Sequence, residues 1–237
     1  MMPPARSKVL ACRVFQPEMD ALGLGADQVE YLDQGLHRYP SELRQRLGQS
    51  LARLEEDPGL ERVVLLYGFC GGGLENLASR RLELVLPLAH DCIPLLLGRE
   101  AGPLPGAGPA AFYLSRGWID FGNTPYSEYF VTAEKYDEET ALWTCQEMLK
   151  GYDRVVLIRT LAGLESRHRE YALNMARLFG LGCEEVPAES RWLQRLLAAQ
   201  QGGGVKIMPP GQPVRLGLYP GTAPLAASKT GGDDHAH

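Results

Sequence analysis

Two hydrophobic runs of the same kind constrain the fold of this chain most: RVVLLY at 62–67 and RVVLIR at 154–159. Each is a continuous block of valine, leucine and isoleucine, without the polar–apolar alternation of a strand that faces water on one side. Each is also shorter than an ordinary buried helix. Such runs are typical of strands buried on both faces of a parallel sheet, so the chain is expected to be an α/β protein.

Shorter apolar runs continue this pattern, and segments of helix length separate them. The four strongest strand candidates are Lys8–Phe15, Arg62–Tyr67, Leu82–Pro87 and Arg154–Arg159. We expect them to lie in one largely parallel sheet with helices on both faces, a Rossmann-like three-layer sandwich. A helix is expected just before the 154–159 run, over Ala133–Lys150.

The length and the local composition predict one folded unit. The chain has 237 residues, which suits a single α/β domain with a sizeable core, placed at 8–216. Residues 1–7 are expected to be a flexible leader. The segment 217–237 contains few core-forming residues and is expected to be disordered. A Gly/Pro-rich stretch at 101–110 predicts a loop.

Charge and hydropathy exclude several classes of protein. The formal net charge is −5, and a protein whose main partner is nucleic acid needs a basic face for the phosphates. No apolar stretch reaches the length that spans a bilayer, so no membrane association is expected. The first residues lack the apolar core of a signal peptide. We therefore expect a cytoplasmic protein, whose cysteines stay reduced.

Three of the five cysteines follow predicted strands. Cys12 comes after KVLA, Cys70 after RVVLLYGF and Cys92 after LELVLPLAHD. Because the carboxyl ends of parallel strands meet at one edge of a sheet, we expect these three thiols to converge there. Three thiolates are enough to hold a zinc ion or most of an iron–sulfur cluster. Cys145 and Cys183 fall elsewhere and are expected to be structural.

A run of three glycines follows the second of these cysteines. Gly71, Gly72 and Gly73 are expected to form a positive-φ turn at the N-terminus of a helix near Leu74–Ser79. Successive backbone N–H groups in such a turn point into one concavity and attract an anion, a thiolate or a sulfide. The stretch lacks the lysine and Ser/Thr of a P-loop and also lacks the dinucleotide fingerprint. A plain tight turn is the alternative interpretation.

Other polar residues lie beside the expected edge. His90 precedes Cys92 by two positions and is a candidate metal ligand or a catalytic acid/base. His37 and Arg38 follow a possible strand at Val29–Asp33, and both are candidate contacts for an anionic ligand. Trp118 belongs to an aromatic-rich stretch that either lines a ligand pocket or packs in the core.

Six segments in this order are familiar: ACRVFQPEM, YLDQGLHRYPSEL, LLYGFCGGGLENL, LPLAHDCIPLLLG, AFYLSRGWID and KIMPPGQPV. The pattern resembles domain of unknown function family 1638 of methanogens and anaerobic bacteria, and the resemblance extends over residues 8–214. The cysteine–glycine and His-Asp-Cys elements are its most specific parts. The resemblance implies a setting near corrinoid-dependent methyltransferases, in one-carbon or redox metabolism.

These observations leave three hypotheses about function. The first is a metal or iron–sulfur ([4Fe–4S]) site formed by Cys12, Cys70 and Cys92, with a small-molecule or cofactor ligand at an open position. The second is a metal-free enzyme in which Cys70 or Cys92 acts with His90 as base. The third is a non-enzymatic accessory protein that delivers a cofactor to a corrinoid-dependent methyltransferase system.

Overall fold

The computed structural model describes residues 3–100 and 110–219. Eight strands lie in these ranges: β1 (Ser7–Cys12), β2 (Val29–Leu32), β3 (Arg62–Leu66), β4 (Glu83–Pro87), β5 (Ala110–Ser115), β6 (Tyr152–Arg159), β7 (Gly182–Pro187) and β8 (Val205–Met208). The same ranges contain eight α-helices: α1 (Gln16–Ala21), α2 (Pro40–Leu54), α3 (Cys92–Leu97), α4 (Arg116–Phe121), α5 (Pro125–Lys135), α6 (Glu138–Met148), α7 (Ser166–Phe179) and α8 (Arg191–Leu197).

The larger sheet, sheet A, has five strands in the order β2-β1-β3-β4-β8. Its first four strands are parallel, and β8 pairs antiparallel with β4. The central strands β1 and β3 are almost completely buried, as their continuous apolar runs predict. The predicted α/β fold class with a mostly parallel sheet is confirmed.

The expectation of one sheet for all four principal strands was wrong. The RVVLIR run lies in β6, at the centre of a separate parallel sheet, sheet B, with the order β5-β6-β7. Sheet B has a core of its own, built on residues that include Leu114, Val155 and Met175. A strand buried in either sheet needs the same apolar residues, so local composition does not determine which strands pair.

Two predicted helices were also wrong. The segment Ala133–Lys150 is divided between α5 and α6, because the side chain of Asp137 accepts a hydrogen bond from the Thr140 N–H and starts a new helix. Residues 73–76 form turns, and 77–79 are irregular, where a helix was expected. The predicted loop at 101–110 falls, except for Ala110, outside the described residues. The same is true of 220–237 in the predicted disordered tail and of 1–2 in the leader.

The two sheets meet through the segments that follow their strands. A Cβ atom on Gly117 of α4 would lie 1.7 Å from the Val14 carbonyl oxygen, so only glycine allows this close approach. In the same region, the Asn123 backbone N–H donates to the Gln34 side chain over 3.0 Å. The carboxyl end of sheet B is thereby held against the carboxyl end of sheet A. Within the described ranges, no helix combines the length and the apolar character needed to cross a membrane.

Candidate functional site

A cavity of about 450 Å³ opens at the carboxyl edge of sheet A, where sheet B meets it. Its walls come from the ends of β1, β2, β3 and β4 and from α4. The lining residues are Cys12, Asp33, Gln34, His37, Leu43, Tyr67, Cys70, Gly71, His90, Asp91, Cys92, Ile93, Trp118 and Tyr152. The three cysteines that were expected to converge therefore share one cavity.

Close backbone packing brings Cys70 and Cys92 to the same place. Beyond β3 and β4 the chains continue side by side, and the N–H of Cys70 donates to the His90 carbonyl over 2.8 Å. A Cβ atom on Gly68 would come within 2.4 Å of the Asp91 backbone, so glycine is required here. The Asp91 side chain then accepts from the Ile93 N–H and starts α3 at Cys92.

The three thiols are buried close enough for their charges to interact. Burial, outweighing hydrogen bonds from the backbone of Val14 and Arg13, raises the pKa of Cys12 to about 11. Burial, together with the neighbouring Cys12, raises the pKa of Cys70 to about 12. The pKa of Cys92 is raised well above its usual value by burial and then by Cys12 and Cys70. Without a nearby cation, all three sulfurs are held as neutral thiols.

Two aromatic side chains place buried hydrogen-bond donors against these sulfurs. The Tyr67 hydroxyl and the Trp118 indole N–H make no hydrogen bond of normal geometry within the described residues. Burial raises the pKa of Tyr67, and the proximity of Cys12 and Cys70 raises it further. The Trp118 indole lies near enough to Cys92 to favour its thiolate. Both donors therefore lie beside the thiols of the cavity.

The glycine turn differs from the predicted anion-binding turn. Gly71 and Gly72 have positive φ angles of 63° and 102°, as predicted, whereas Gly73 has a φ of −60°. The N–H groups of Gly72 and Gly73 donate to the carbonyls of Phe69 and Cys70. Of the three glycines, Gly71 alone is among the residues that line the cavity. The expectation that all three amides contact the sulfurs was therefore wrong, because the turn uses two of them to close on itself.

The two histidines of the cavity differ in environment. His90 is exposed, and its ring lies 6.1 Å from the ring of Tyr219. His37 is half-buried on the opposite wall, where its ring meets Trp118 edge-on at 5.6 Å. The His37 Nδ1 atom lies 2.7 Å from the Gln34 carbonyl oxygen. Both rings therefore face the same cavity, and a backbone carbonyl fixes the orientation of the His37 ring.

The remaining candidates lie away from the cavity. Arg38 is exposed and pairs with Glu128 at 3.7 Å instead of lining the site. Cys145 is buried in the core of sheet B and donates to the Pro125 carbonyl. Cys183 is exposed on β7.

The positions of the potential ligand side chains show whether a single metal ion has a set of ligands here. In the described part of the chain, no group of three or more His, Cys, Asp or Glu residues could hold a metal ion. Ligands of one zinc ion bind at about 2.0–2.3 Å and so must lie within a few ångströms of one another. A single zinc ion therefore has no ready-made set of ligands here.

A comparison with models of protein families shows the family to which the chain belongs. The model of the family described as "Protein of unknown function (DUF1638)" matches residues 31–197. The chain belongs to this family. The family match includes Cys70, Cys92 and Trp118, while Cys12 precedes it. Neither the curated proteins nor the solved structures contain a match.

Sequence reasoning missed two residues of the site and left a third without a defined role. Tyr67 ends the RVVLLY run, where it resembled one more core residue, and Gln34 lies in a short polar segment after β2. His37 was considered only as a partner of an anion. A polar residue directly after a strand was the available signal, and it applied to Gln34 and His37 as well as to the cysteines.

Proposed function

We propose that this protein binds an iron–sulfur cluster through Cys12, Cys70 and Cys92. One observation carries the proposal: three thiols that follow three neighbouring strands line one cavity, with the Trp118 indole N–H beside Cys92 and the buried Tyr67 hydroxyl near Cys12 and Cys70. Hydrogen bonds to cluster and cysteine sulfurs are a usual part of such sites. A bound cluster would give both donors an acceptor.

A cluster needs a less compact set of thiols than a single ion does. Each cysteine of a [4Fe–4S] site binds a different iron, so the sulfurs stand further apart than the ligands of one zinc ion. This is compatible with thiols that share a cavity without forming a compact ligand group. The positive iron centres would also oppose the burial and the mutual repulsion that together raise the thiol pKa values.

Each element of the site has a role in this proposal. The three cysteines hold the cluster, and the backbone N–H groups of Arg13, Val14 and Gly68 favour the thiolate form of Cys12 and Cys70. With three protein ligands, a bound cluster would supply a Lewis-acidic or redox-active centre with one position open to another ligand. His90, which lines the same cavity, would serve as a fourth ligand or as an acid/base. Gly71 and Trp118 form walls of the cavity.

The metal-free Cys–His alternative has less support. A nucleophilic cysteine needs a lowered pKa, whereas burial raises the pKa of Cys70 to about 12 and that of Cys92 well above its usual value. His90 is exposed at the rim of the cavity. Because neither Cys70 nor Cys92 has a lowered pKa, the presence of His90 does not by itself support this mechanism.

The metabolic setting follows from the family resemblance alone. We propose a role in anaerobic one-carbon, corrinoid or redox metabolism, either as an enzyme or as an accessory protein for a corrinoid-dependent methyltransferase. Catalytic turnover of the purified protein without any partner would separate the enzyme from the accessory protein.

The cluster proposal is tested by anaerobic reconstitution with ferrous iron and sulfide. The wild type should take up about four iron and four sulfide per chain and show the visible charge-transfer absorption of a [4Fe–4S] cluster. Elemental analysis of the protein as purified would show a single zinc instead, if that is the resident metal.

Single serine substitutions of the three cysteines provide the specific test. Cys12→Ser, Cys70→Ser and Cys92→Ser should each lose most of the iron. Cys183→Ser, at an exposed thiol outside the cavity, should keep it. A wild type that binds neither iron and sulfide nor zinc, or cluster content that is equal in all four variants, would overturn the proposal.

A further inference from the structure

The mouth of the cavity carries two carboxylates that cluster binding does not use. Asp33 directly follows β2, and Asp91 lies between β4 and α3. Both residues are exposed, whereas Cys12 is buried and Cys70 and Cys92 are half-buried. The two carboxylates therefore form part of the rim of the cavity, closer to solvent than the thiols.

Each carboxylate is held in place by the backbone that follows it. Asp33 Oδ1 accepts from the Gly35 N–H and Asp91 Oδ1 from the Ile93 N–H, both over 2.8 Å. Since an ionised carboxylate has two acceptor oxygens, each keeps capacity for a ligand. No lysine or arginine is among the described residues that line the cavity. Neither carboxylate therefore meets a cationic side chain inside it.

The order of the strands places these carboxylates at opposite ends of the cavity. Two strands, β1 and β3, separate β2 from β4. Neighbouring strands lie about 4.8 Å apart, so the ends of β2 and β4 are roughly 14 Å apart. The thiols agree with this placement. Besides burial, which is the main cause, Asp33 raises the pKa of Cys12, whereas Asp91 raises the pKa values of Cys70 and Cys92.

Uncharged side chains line the cavity between the two ends. Leu43 and Trp118 provide apolar surface. The buried Tyr67 hydroxyl, which makes no hydrogen bond of normal geometry within the described residues, can accept one from a ligand. The cavity of about 450 Å³ is in the range of small-molecule sites, about 300–1,000 Å³. A small organic molecule therefore fits between the two carboxylates.

The charge and the spacing of the two ends restrict the class of ligand. Phosphates and other anions need cationic partners, so this lining disfavours them. Two negative ends with uncharged surface between them suit a linear chain that carries one positive charge at each end. A hydrogen bond from nitrogen to oxygen takes about 3 Å at each end, which leaves roughly 8–9 Å between the two nitrogen atoms of the ligand.

We propose that the cavity binds a linear aliphatic diamine, with one ammonium group on Asp33, the other on Asp91 and the methylene chain across the mouth of the cavity. The contacts use only side chains other than the three cysteines. The inference therefore does not rest on the proposed cluster, and it holds for the protein with or without one.

Calorimetric titration of the full chain with 1,6-diaminohexane tests this proposal. Hexylamine has the same chain and one charge, and the charges of 1,2-diaminoethane are too close together to reach both carboxylates. Asp33→Asn and Asp91→Asn each remove one negative charge and keep the oxygen that accepts from the following backbone. Asp57→Asn is the matched control, because Asp57 accepts from the Gly59 N–H in the same way but does not line the cavity.

The wild type and Asp57→Asn should bind one 1,6-diaminohexane per chain, at least about fivefold more tightly than hexylamine or 1,2-diaminoethane. Asp33→Asn and Asp91→Asn should each bind the diamine about fivefold or more weakly than the wild type does. Both variants should also lose the preference for the diamine over hexylamine, since only one charged end remains. Added salt should weaken the binding, because both carboxylates are exposed.

Three results would overturn this proposal. The first is a wild type that does not bind 1,6-diaminohexane. The second is a wild type that binds hexylamine or 1,2-diaminoethane equally well. The third is an Asp57→Asn variant that weakens binding as much as the two cavity variants do. Thermal unfolding shows whether each variant is folded, and if one cavity variant is not, the other variant and the ligand series decide. Iron and sulfide uptake is measured separately, so failure of the cluster proposal and failure of the diamine proposal are distinguishable.

Discussion

The carboxyl edges of the two parallel sheets are built from opposite kinds of side chain. At the edge of sheet B the polar groups are charged and paired: Asp120 accepts from Arg167 at 2.5 Å and lies 3.2 Å from His168 Nε2. Arg116 pairs there with Glu165 at 3.1 Å. At the edge of sheet A the cavity contains neutral thiols, and the aromatic donors of Tyr67 and Trp118 lie beside them.

This difference separates structural polar groups from functional ones. Paired charges around a buried histidine hold α4 and α7 together. In the proposed function, a bound cluster completes the buried donors and thiols around the open cavity. The two sheets would then have different tasks, with sheet B supplying Trp118 and sheet A supplying the cluster ligands.

The largest expected effect comes from the contact that joins the two edges. Gly117→Ala would place a Cβ atom 1.7 Å from the Val14 carbonyl oxygen, and the backbones must separate to avoid it. We expect the free energy of unfolding to fall by about 3 kcal/mol or more, measured by urea denaturation. In the cluster-loaded protein, Trp118 should also move away from Cys92 and alter the visible spectrum.

Gly48→Ala is the matched control for this prediction. Gly48 lies within α2, and a Cβ atom there would meet nothing within 4 Å. The substitution should stabilise the protein by about 0.5–1 kcal/mol through helix propensity. If Gly117→Ala is as stable as the wild type, sheet B does not depend on this contact and the comparison of the two edges loses its basis.

The sequence predicted the contents of the sheet A edge better than the arrangement of the sheets. Cys12, Cys70 and Cys92 each follow a strand, and parallel topology alone brings such residues together. The pairing of β6 with β5 and β7 depends on contacts far apart in sequence, and RVVLIR is as apolar as RVVLLY. No local pattern separates these two runs.

The site residues that sequence reasoning missed have a similar explanation. Tyr67 matters because its hydroxyl is buried beside two thiols, and His37 because a carbonyl fixes its ring. Burial and ring orientation are properties of the folded cavity. A tyrosine at the end of an apolar strand gives no hint of either.

A second effect concerns the buried carboxyl group that links the two edges. Glu18 of α1 is 1% exposed, and its Oε1 atom accepts a hydrogen bond from Thr160, at the end of β6, over 2.6 Å. Burial raises the pKa of Glu18 to about 7 from an ordinary value of 4.5, although the Thr160 bond and the charge of Arg116 oppose the shift. Between pH 4.5 and about 7, Glu18 therefore keeps its proton in the folded state, whereas the unfolded chain has already lost it.

The stability of the wild type should fall across that interval. The pKa of Glu18 is higher in the folded state than in the unfolded chain, so proton binding by Glu18 stabilises the folded state. This contribution to stability is complete below pH 4.5 and is lost as the pH rises through about 7. Glu18→Gln keeps an acceptor for Thr160 and removes the titration. Its unfolding free energy, relative to the wild type, should rise by up to about 3 kcal/mol between about pH 4.5 and about pH 8. A difference that does not change with pH would show that Glu18 does not hold this proton.

The smallest effect on the free energy of unfolding is expected from a substitution of Asp120. This substitution also tests most directly whether the two edges have different roles. Although burial opposes it, the hydrogen bonds from Arg167 and His168 lower the pKa of Asp120 from its ordinary value of 3.8. Its contribution to stability is therefore complete above that value and is lost as the pH falls through the lower, folded-state pKa. Asp120→Asn should lower the unfolding free energy by about 1–2 kcal/mol at neutral pH, because Arg167 is half exposed and its bond is screened. The same variant should load as much iron as the wild type, since Asp120 serves the packing of sheet B alone. Loss of iron from Asp120→Asn in protein that remains folded would mean that the paired edge also shapes the cavity, and the division between a structural and a functional edge would be wrong.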